Sequence, residues 1–251
     1  MKEYIYGRHP VFELLKAGRR RVVRILLAEG AQRKGIFDEI VKTAEKLNIP
    51  MEIRARAALD KLRDHNQGIL AQTNSYPYAD WDQIIEKIET SASPGIVLLL
   101  DVIQDPQNLG TLLRTAEAVG VHGIILPARQ GVGVTPAVVK SSSGASEHLL
   151  ISKHNLAQSI KQLQKHGLWI IGLENTPQST ALGEFDSSGA VGIVVGGEER
   201  GLRKLVRDSC DYLVRLPMQG KLSSLNAATA GSVMLYSIWM NQNRSSFSPS
   251  K

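Results

Sequence analysis

The chain has 251 residues, of which 43% are hydrophobic and 5% aromatic, and carries a formal net charge of +6. That is enough for one large globular domain or two ordinary ones. No apolar run approaches the roughly 18–20 residues that span a bilayer. The N-terminal MKEYIYGRHP has neither an apolar h-region nor a small-residue cleavage site, so a cytoplasmic protein without membrane association is expected. Cys210 is the only cysteine, which excludes an internal disulfide and a cysteine-rich metal site; no metal is expected.

The charge is segregated. Residues 1–75 hold 15 Lys+Arg against 9 Asp+Glu, whereas residues 76–251 are balanced at 15 each. The excess is densest at Arg19, Arg20, Arg21 and Arg24, with Arg33 and Lys34 close behind. A localised basic patch is the footprint of a polyanion binder, and a solvated helix–strand junction is its plain alternative.

In chain order, 9–16 is predicted as a helix with Gly18 at its C′ position. Strands are predicted at 22–27, 51–53 and 68–72. Apolar residues at 36, 37, 40, 41, 44 and 47 predict a helix over 36–47. These make a small α/β domain over 1–75. Residues 76–94 read as a linker with a short helix over 81–88, because NSYPYADWD and TSASPG are rich in turn formers. From 95 to 245 the pattern is a regular alternation. Strands are predicted at 96–100, 122–126, 168–173, 191–195 and 212–216, and helices at 108–119, 155–166, 199–208 and about 224–243. Such alternation indicates a mainly parallel sheet with helices on both faces. Residues 246–251 are expected to form a disordered tail.

Three polar turns follow apolar strands, where open α/β sheets place their ligands. The first, in DVIQDPQNLGTLLRTAEAVG (101–120), carries Asp105, Asn108 and Arg114; a capped helix with a surface arginine would look the same. The second, VGIVVGGEERGL (191–202), places Gly196 and Gly197 directly after a strand and then Glu198 and Glu199. It lacks both the dinucleotide glycine spacing and a Walker lysine. The third, RLPMQGKLSSLNAATAGSVMLY (215–236), contains Gly220, Ser223, Ser224 and Asn226; one of the serines is expected to cap the last helix. Ala227, Ala228, Ala230 and Gly231 suit close packing against a core strand or a partner subunit.

The ordered set D-P-x-N-x-G-x-x-x-R-T-A, G-x-E-x-x-G-L and P-M-x-G-x-x-x-S-L-N resembles the SpoU/TrmH family of RNA ribose 2′-O-methyltransferases, of the SPOUT superfamily. YGRHPVFELL and NQGILAQ resemble the ribosomal-protein-like RNA-binding domain of the bacterial 23S rRNA guanosine methyltransferases in that family. The resemblance implies an α/β SPOUT fold whose C-terminal segment is threaded as a trefoil knot. It implies S-adenosylmethionine as cofactor, contacted by Gly196, Leu216 and Leu225 with the Gly220 loop around the adenine, and a homodimer formed through the C-terminal domain. Arg114 would contact the target phosphate and stabilise developing alkoxide charge, since guanidinium groups stay protonated at neutral pH. Asn108 would orient Arg114 or the ribose, Ser224 and Asn226 would hydrogen-bond substrate or loop, and Glu198 would hold Asn108 or Arg114. Arg8, Arg19, Arg20, Arg21 and Arg24 would bind RNA, and Lys140, with Ser143, Gly144 and Glu147, would line the RNA side of the pocket. Two positions depart from the family pattern: Glu199 where glycine is usual, and Ala227 where valine is common.

The expected activity is methylation of a ribose 2′-hydroxyl, in a guanosine of 23S rRNA. The alternatives are a tRNA ribose methyltransferase, an enzyme protecting rRNA near an antibiotic site, and a non-catalytic RNA-binding ribosome-assembly factor.

Overall fold

A computed structural model describes residues 2–198, 200–222 and 224–244. Glu199, Ser223 and the expected tail at 246–251 lie outside the described residues. In chain order the first elements are β1 (Glu3–Tyr6), α1 (Arg8–Ala17), β2 (Val22–Ala28), α2 (Ile36–Lys46), β3 (Met51–Arg54), α3 (Arg56–Leu62) and β4 (Ile69–Thr73). There follow α4 (Trp81–Glu89), β5 (Ile96–Asp101), α5 (Pro106–Ala118), β6 (Gly123–Pro127), α6 (Pro136–Ser141), β7 (Ile151–His154) and α7 (Leu156–Lys165). The last are β8 (Trp169–Leu173), β9 (Thr180–Ala181), β10 (Val191–Gly196), α8 (Lys204–Arg207), β11 (Tyr212–Arg215) and α9 (Ala227–Gln242).

The chain forms two compact units, and they do not follow chain order. Val134–His148 group with Met1–Pro77, while Tyr78–Gly133 and Leu149–Lys251 form the second unit. In the first unit a four-stranded sheet runs β1-β4-β2-β3. β4 is antiparallel to both β1 and β2, and β3 is parallel to β2. Helix α1 ends as its sequence predicts, with Gly18 left-handed (φ 63°) and its N–H bonded to the Leu14 carbonyl.

The second unit is built on a seven-stranded sheet of order β7-β6-β5-β10-β8-β11-β9, parallel throughout. Every residue of the central strands β5 and β10 is buried, as expected of strands covered on both faces. Their burial explains why IVLLLD and VGIVVG are continuous apolar runs rather than alternating ones. Strands β1, β7 and β9 and helices α3 and α6 had no clear signature in the sequence; all are short, and β9 has only two residues. Helix α5 starts at Pro106, two residues before the predicted start. Asp105 caps it, accepting from the Gln107 N–H at 3.0 Å, and proline fits the first helical position. Helix α8 is shorter than the predicted 199–208. Gly201 is left-handed (φ 61°), and the Arg203 N–H is bonded to Asp101, so the chain turns sharply before the helix begins.

Candidate active site

Three segments far apart in sequence meet at the ends of β5 and β10. Asn108, in the first turn of α5, donates from Nδ2 to Glu198 Oε1. Asn226 donates from Nδ2 to Asn108 Oδ1 at 3.2 Å. Asn226 is also the N-cap of α9, its Oδ1 accepting from the Ala228 and Thr229 N–H groups at 2.9 and 3.2 Å. Glu198 therefore orients the Asn108 amide, and Asn108 orients Asn226. Asn226, not the expected serine, caps α9; Ser224 lines the neighbouring cavity. Arg114 is exposed on α5, two turns along from Asn108.

A second tie holds the Gly-rich turn against β5. The wholly buried Asp101 carboxylate accepts from Arg203 Nε at 2.7 Å and from its main-chain N–H at 2.8 Å. Within that turn the Gly201 N–H bonds to the Gly197 carbonyl at 3.0 Å. A Cβ on Gly196 would lie 2.3–2.6 Å from main-chain atoms of Gly201 and Leu202, so only glycine permits this approach. Helix α9 packs on α5 and β10. Gly231 sits against Leu112 and Val195, and Thr115 Oγ1 lies 2.9 Å from Ser232 Oγ. The Gly231 side of this helix thus faces the chain's own core.

Beside the polar turns is a cavity of about 200 Å³. Leu173, Val195, Leu216, Met218 and Leu225 supply apolar wall, with Gly196, Glu198 and Ser224 at the polar side. The structure thus brings Gly196, Leu216 and Leu225 together around one space. Gly220 is not part of the wall; it is exposed with open space around it. Among the polar wall residues, Glu174, Asn175 and Arg215 were not anticipated. Glu174 directly follows a predicted strand, the same strand-end position that drew attention to Asp101 and Glu198. Its Oε2 is buried with no hydrogen-bond partner among the described residues.

The basic residues of the first unit behave differently from one another. Arg20 is not an RNA contact: its side chain is 0% exposed and its Nε and Nη2 donate to the two Glu147 oxygens at 2.9 and 2.8 Å. Its Nη1 meets Glu3 at 2.8 Å, and the guanidinium lies 4.8 Å from the Tyr76 ring centre. Glu147, 1% exposed, is likewise a buried ion-pair partner rather than the lining of an RNA pocket. Burial pushes its carboxyl above the usual range, and Arg20 and Arg19 oppose that shift. Arg24 is held by Glu52 and Gln72, each at 2.7 Å, and Arg19 donates to the Pro77 carbonyl at 3.1 Å. Arg21 is exposed, and Arg8 is half-buried over the Phe37 ring. Lys140 lies over the Tyr6 ring, and burial lowers its ammonium pKa.

A parallel sheet whose strand-end turns converge on one apolar-walled cavity is the layout of a cofactor-binding α/β enzyme. Residues 95–236 match the SpoU rRNA methylase family, and residues 4–79 match the RNA 2′-O ribose methyltransferase substrate-binding family. YacO of Bacillus subtilis, described as a putative TrmH family tRNA/rRNA methyltransferase, is 34% identical over 243 residues, 96% of each chain. The SpoU methyltransferase AviRb from Streptomyces viridochromogenes, solved with AdoMet, shares the fold with a TM-score of 0.79 at 23% identity, over 98% of this chain and 91% of its own. A TrmH/SpoU tRNA modifying enzyme from A. aeolicus matches 66% of this chain and 83% of its own, with a TM-score of 0.55 at 21% identity. The chain belongs to the SpoU family of RNA ribose 2′-O-methyltransferases, whose cofactor is S-adenosylmethionine. The cavity fits that cofactor: its apolar wall suits an adenine, and it is lined by Glu174, whose Oε2 is buried with no hydrogen-bond partner among the described residues.

Proposed function

We propose that this enzyme methylates a ribose 2′-hydroxyl of 23S rRNA, at a guanosine. The observation that carries the site assignment is the hydrogen-bonded set Glu198–Asn108–Asn226 beside the cavity, assembled from three distant segments. S-adenosylmethionine, when bound, supplies an electrophilic methyl group. Around it Gly196, Leu216 and Leu225 contact the cofactor, and Glu198 fixes the rotamer of Asn108. Asn108, Asn226 and Ser224 hold the ribose in line, which by itself supplies much of the acceleration. Arg114 grips the target phosphate and stabilises the developing alkoxide. Threading of the C-terminal segment as a trefoil knot accounts for the return of α9 beside α5.

The 23S assignment is supported by the substrate-binding match at residues 4–79 and by the basic excess in residues 1–75. The A. aeolicus tRNA enzyme, which matches only two thirds of this chain, supports the same choice. RNA is the appropriate polymer because the acceptor is its 2′-hydroxyl. Arg8, Arg19, Arg21, Arg24 and Lys140 supply the RNA-facing charge. The test is transfer of label from methyl-labelled S-adenosylmethionine to unmodified 23S rRNA and, separately, tRNA, followed by mapping of the 2′-O-methyl. Label in 23S rRNA at a guanosine supports the reading; label confined to tRNA assigns the other branch.

We further propose a homodimer through the second unit. Helix α9 is apolar around most of its circumference, and Val233, Tyr236 and Met240 are exposed on it. An apolar stripe of this kind marks an interaction surface. The double variant Val233→Glu, Met240→Lys is expected to sediment as a monomer where the unmodified chain sediments as a dimer. Unchanged sedimentation would remove α9 from the interface.

A further inference from the structure

We infer that Glu174 is a specificity-determining residue of the cofactor pocket, its carboxylate accepting a hydrogen bond from a ribose hydroxyl of S-adenosylmethionine. This deepens the functional reading above and rests on it. Glu174 follows β8 directly, and its main chain is anchored, the N–H donating to the Val214 carbonyl at 3.0 Å. Its Oε1 lies 3.7 Å from an Arg207 nitrogen and beside Gly201, while Oε2 is buried and unpartnered among the described residues; the residue itself lines the cavity. A buried acceptor without a donor is costly, and such groups persist where a ligand satisfies them.

The sheet order indicates which part of the cofactor reaches it. Strand β10 separates β5 from β8. Asn108 lies beyond the end of β5, so the methyl group must be presented on that side. The opposite end of the cavity, beyond β8 and β11, holds Glu174, Leu173 and Leu216 and is left for the nucleoside. A carboxylate at a strand end beside a Gly-rich turn is also how doubly wound folds hold a ribose hydroxyl. The resemblance implied contacts from Gly196, Leu216 and Leu225; Glu174 adds a charged side chain whose length selects for an intact ribose.

The test is calorimetric titration of the full chain, and of Glu174→Ala and Glu174→Gln, with S-adenosylhomocysteine and with 5′-methylthioadenosine. The second ligand keeps the ribose and lacks the amino-acid moiety. Glu174→Ala is expected to weaken both ligands by the same factor, about 10- to 100-fold, as loss of a hydrogen bond to a charged group predicts. Glu174→Gln, which retains an acceptor, is expected to lose less. Both ligand-free variants should melt close to the temperature of the unmodified chain, because the loss of the 3.7 Å contact with Arg207 is offset by removal of a buried carboxylate oxygen that has no partner among the described residues. Equal affinities in all three proteins would overturn the proposal. Weakening confined to S-adenosylhomocysteine would overturn it too, since the donor would then be the amino-acid ammonium. If the unmodified chain bound neither ligand, the cofactor reading would fail, and this inference with it.

Discussion

Arg114→Ala is expected to lower the rate of methyl transfer by at least about 10²–10³-fold while leaving the dissociation constant for S-adenosylhomocysteine nearly unchanged. The expectation follows from where Arg114 sits. It projects from the exposed face of α5, outside the residues that wall the cavity, on the helix that also presents Asn108. On the proposed reading its contribution is to substrate phosphate and to charge that exists only in the transition state, and such interactions are read in kcat rather than in ground-state binding. Arg114→Lys should recover little, because an ammonium cannot reproduce a bidentate fork on phosphate. Single-turnover transfer to RNA and calorimetric titration with the cofactor product measure the two quantities separately. A loss of cofactor affinity comparable to the loss of rate would move Arg114 from substrate to cofactor.

The second large effect lies in the first unit. Glu147→Ala is expected to destabilise the protein by about 3–5 kcal/mol, because it leaves the Arg20 guanidinium buried with only Glu3 to compensate it. The double variant Arg20→Met, Glu147→Leu should recover most of that loss, since well-packed apolar groups often replace a buried ion pair at little cost. Urea denaturation of the three proteins checks both statements. If Glu147→Ala unfolded at the same urea concentration as the unmodified chain, the pair would not be structural. The same comparison bears on Val134–His148, which groups with Met1–Pro77 although nearly sixty residues of the other unit intervene. Glu147 is one of the residues that tie that segment to the N-terminal part, together with His148, which meets Glu13 at 2.7 Å.

Much of the architecture was legible because its signals are local. A parallel sheet declares itself in runs such as IVLLLD, where burial on both faces removes any alternation. Helix ends declare themselves through Gly18, Asp105 and Pro106, which act on the backbone within a turn of their own positions. What escaped were elements too short to carry a period, among them β1, β7 and β9, together with the extent of α8, which a left-handed Gly201 and the Asp101–Arg203 tie cut short. The basic residues show the same limit. Arg19, Arg20, Arg21 and Arg24 are equivalent as sequence, yet Arg20 is buried between two carboxylates and Arg21 is exposed. Glu3 lies 17 residues from Arg20 and Glu147 lies 127 away, so no pattern around Arg20 reveals its burial.

The sequence alone determined the fold class, the family through three ordered motifs, and which residue types supply amide, carboxylate, hydroxyl and guanidinium chemistry. The tertiary structure decided which of them act together. It joined Asn108 to Glu198 across 90 residues and to Asn226 across 118, and it separated Arg20 and Glu147 from any RNA-facing role. It also revealed the buried oxygen of Glu174 that has no partner among the described residues. The reason is physical: strand and helix propensity depend on neighbours along the chain, whereas hydrogen-bond satisfaction and burial depend on neighbours in space, which the parallel sheet order sets.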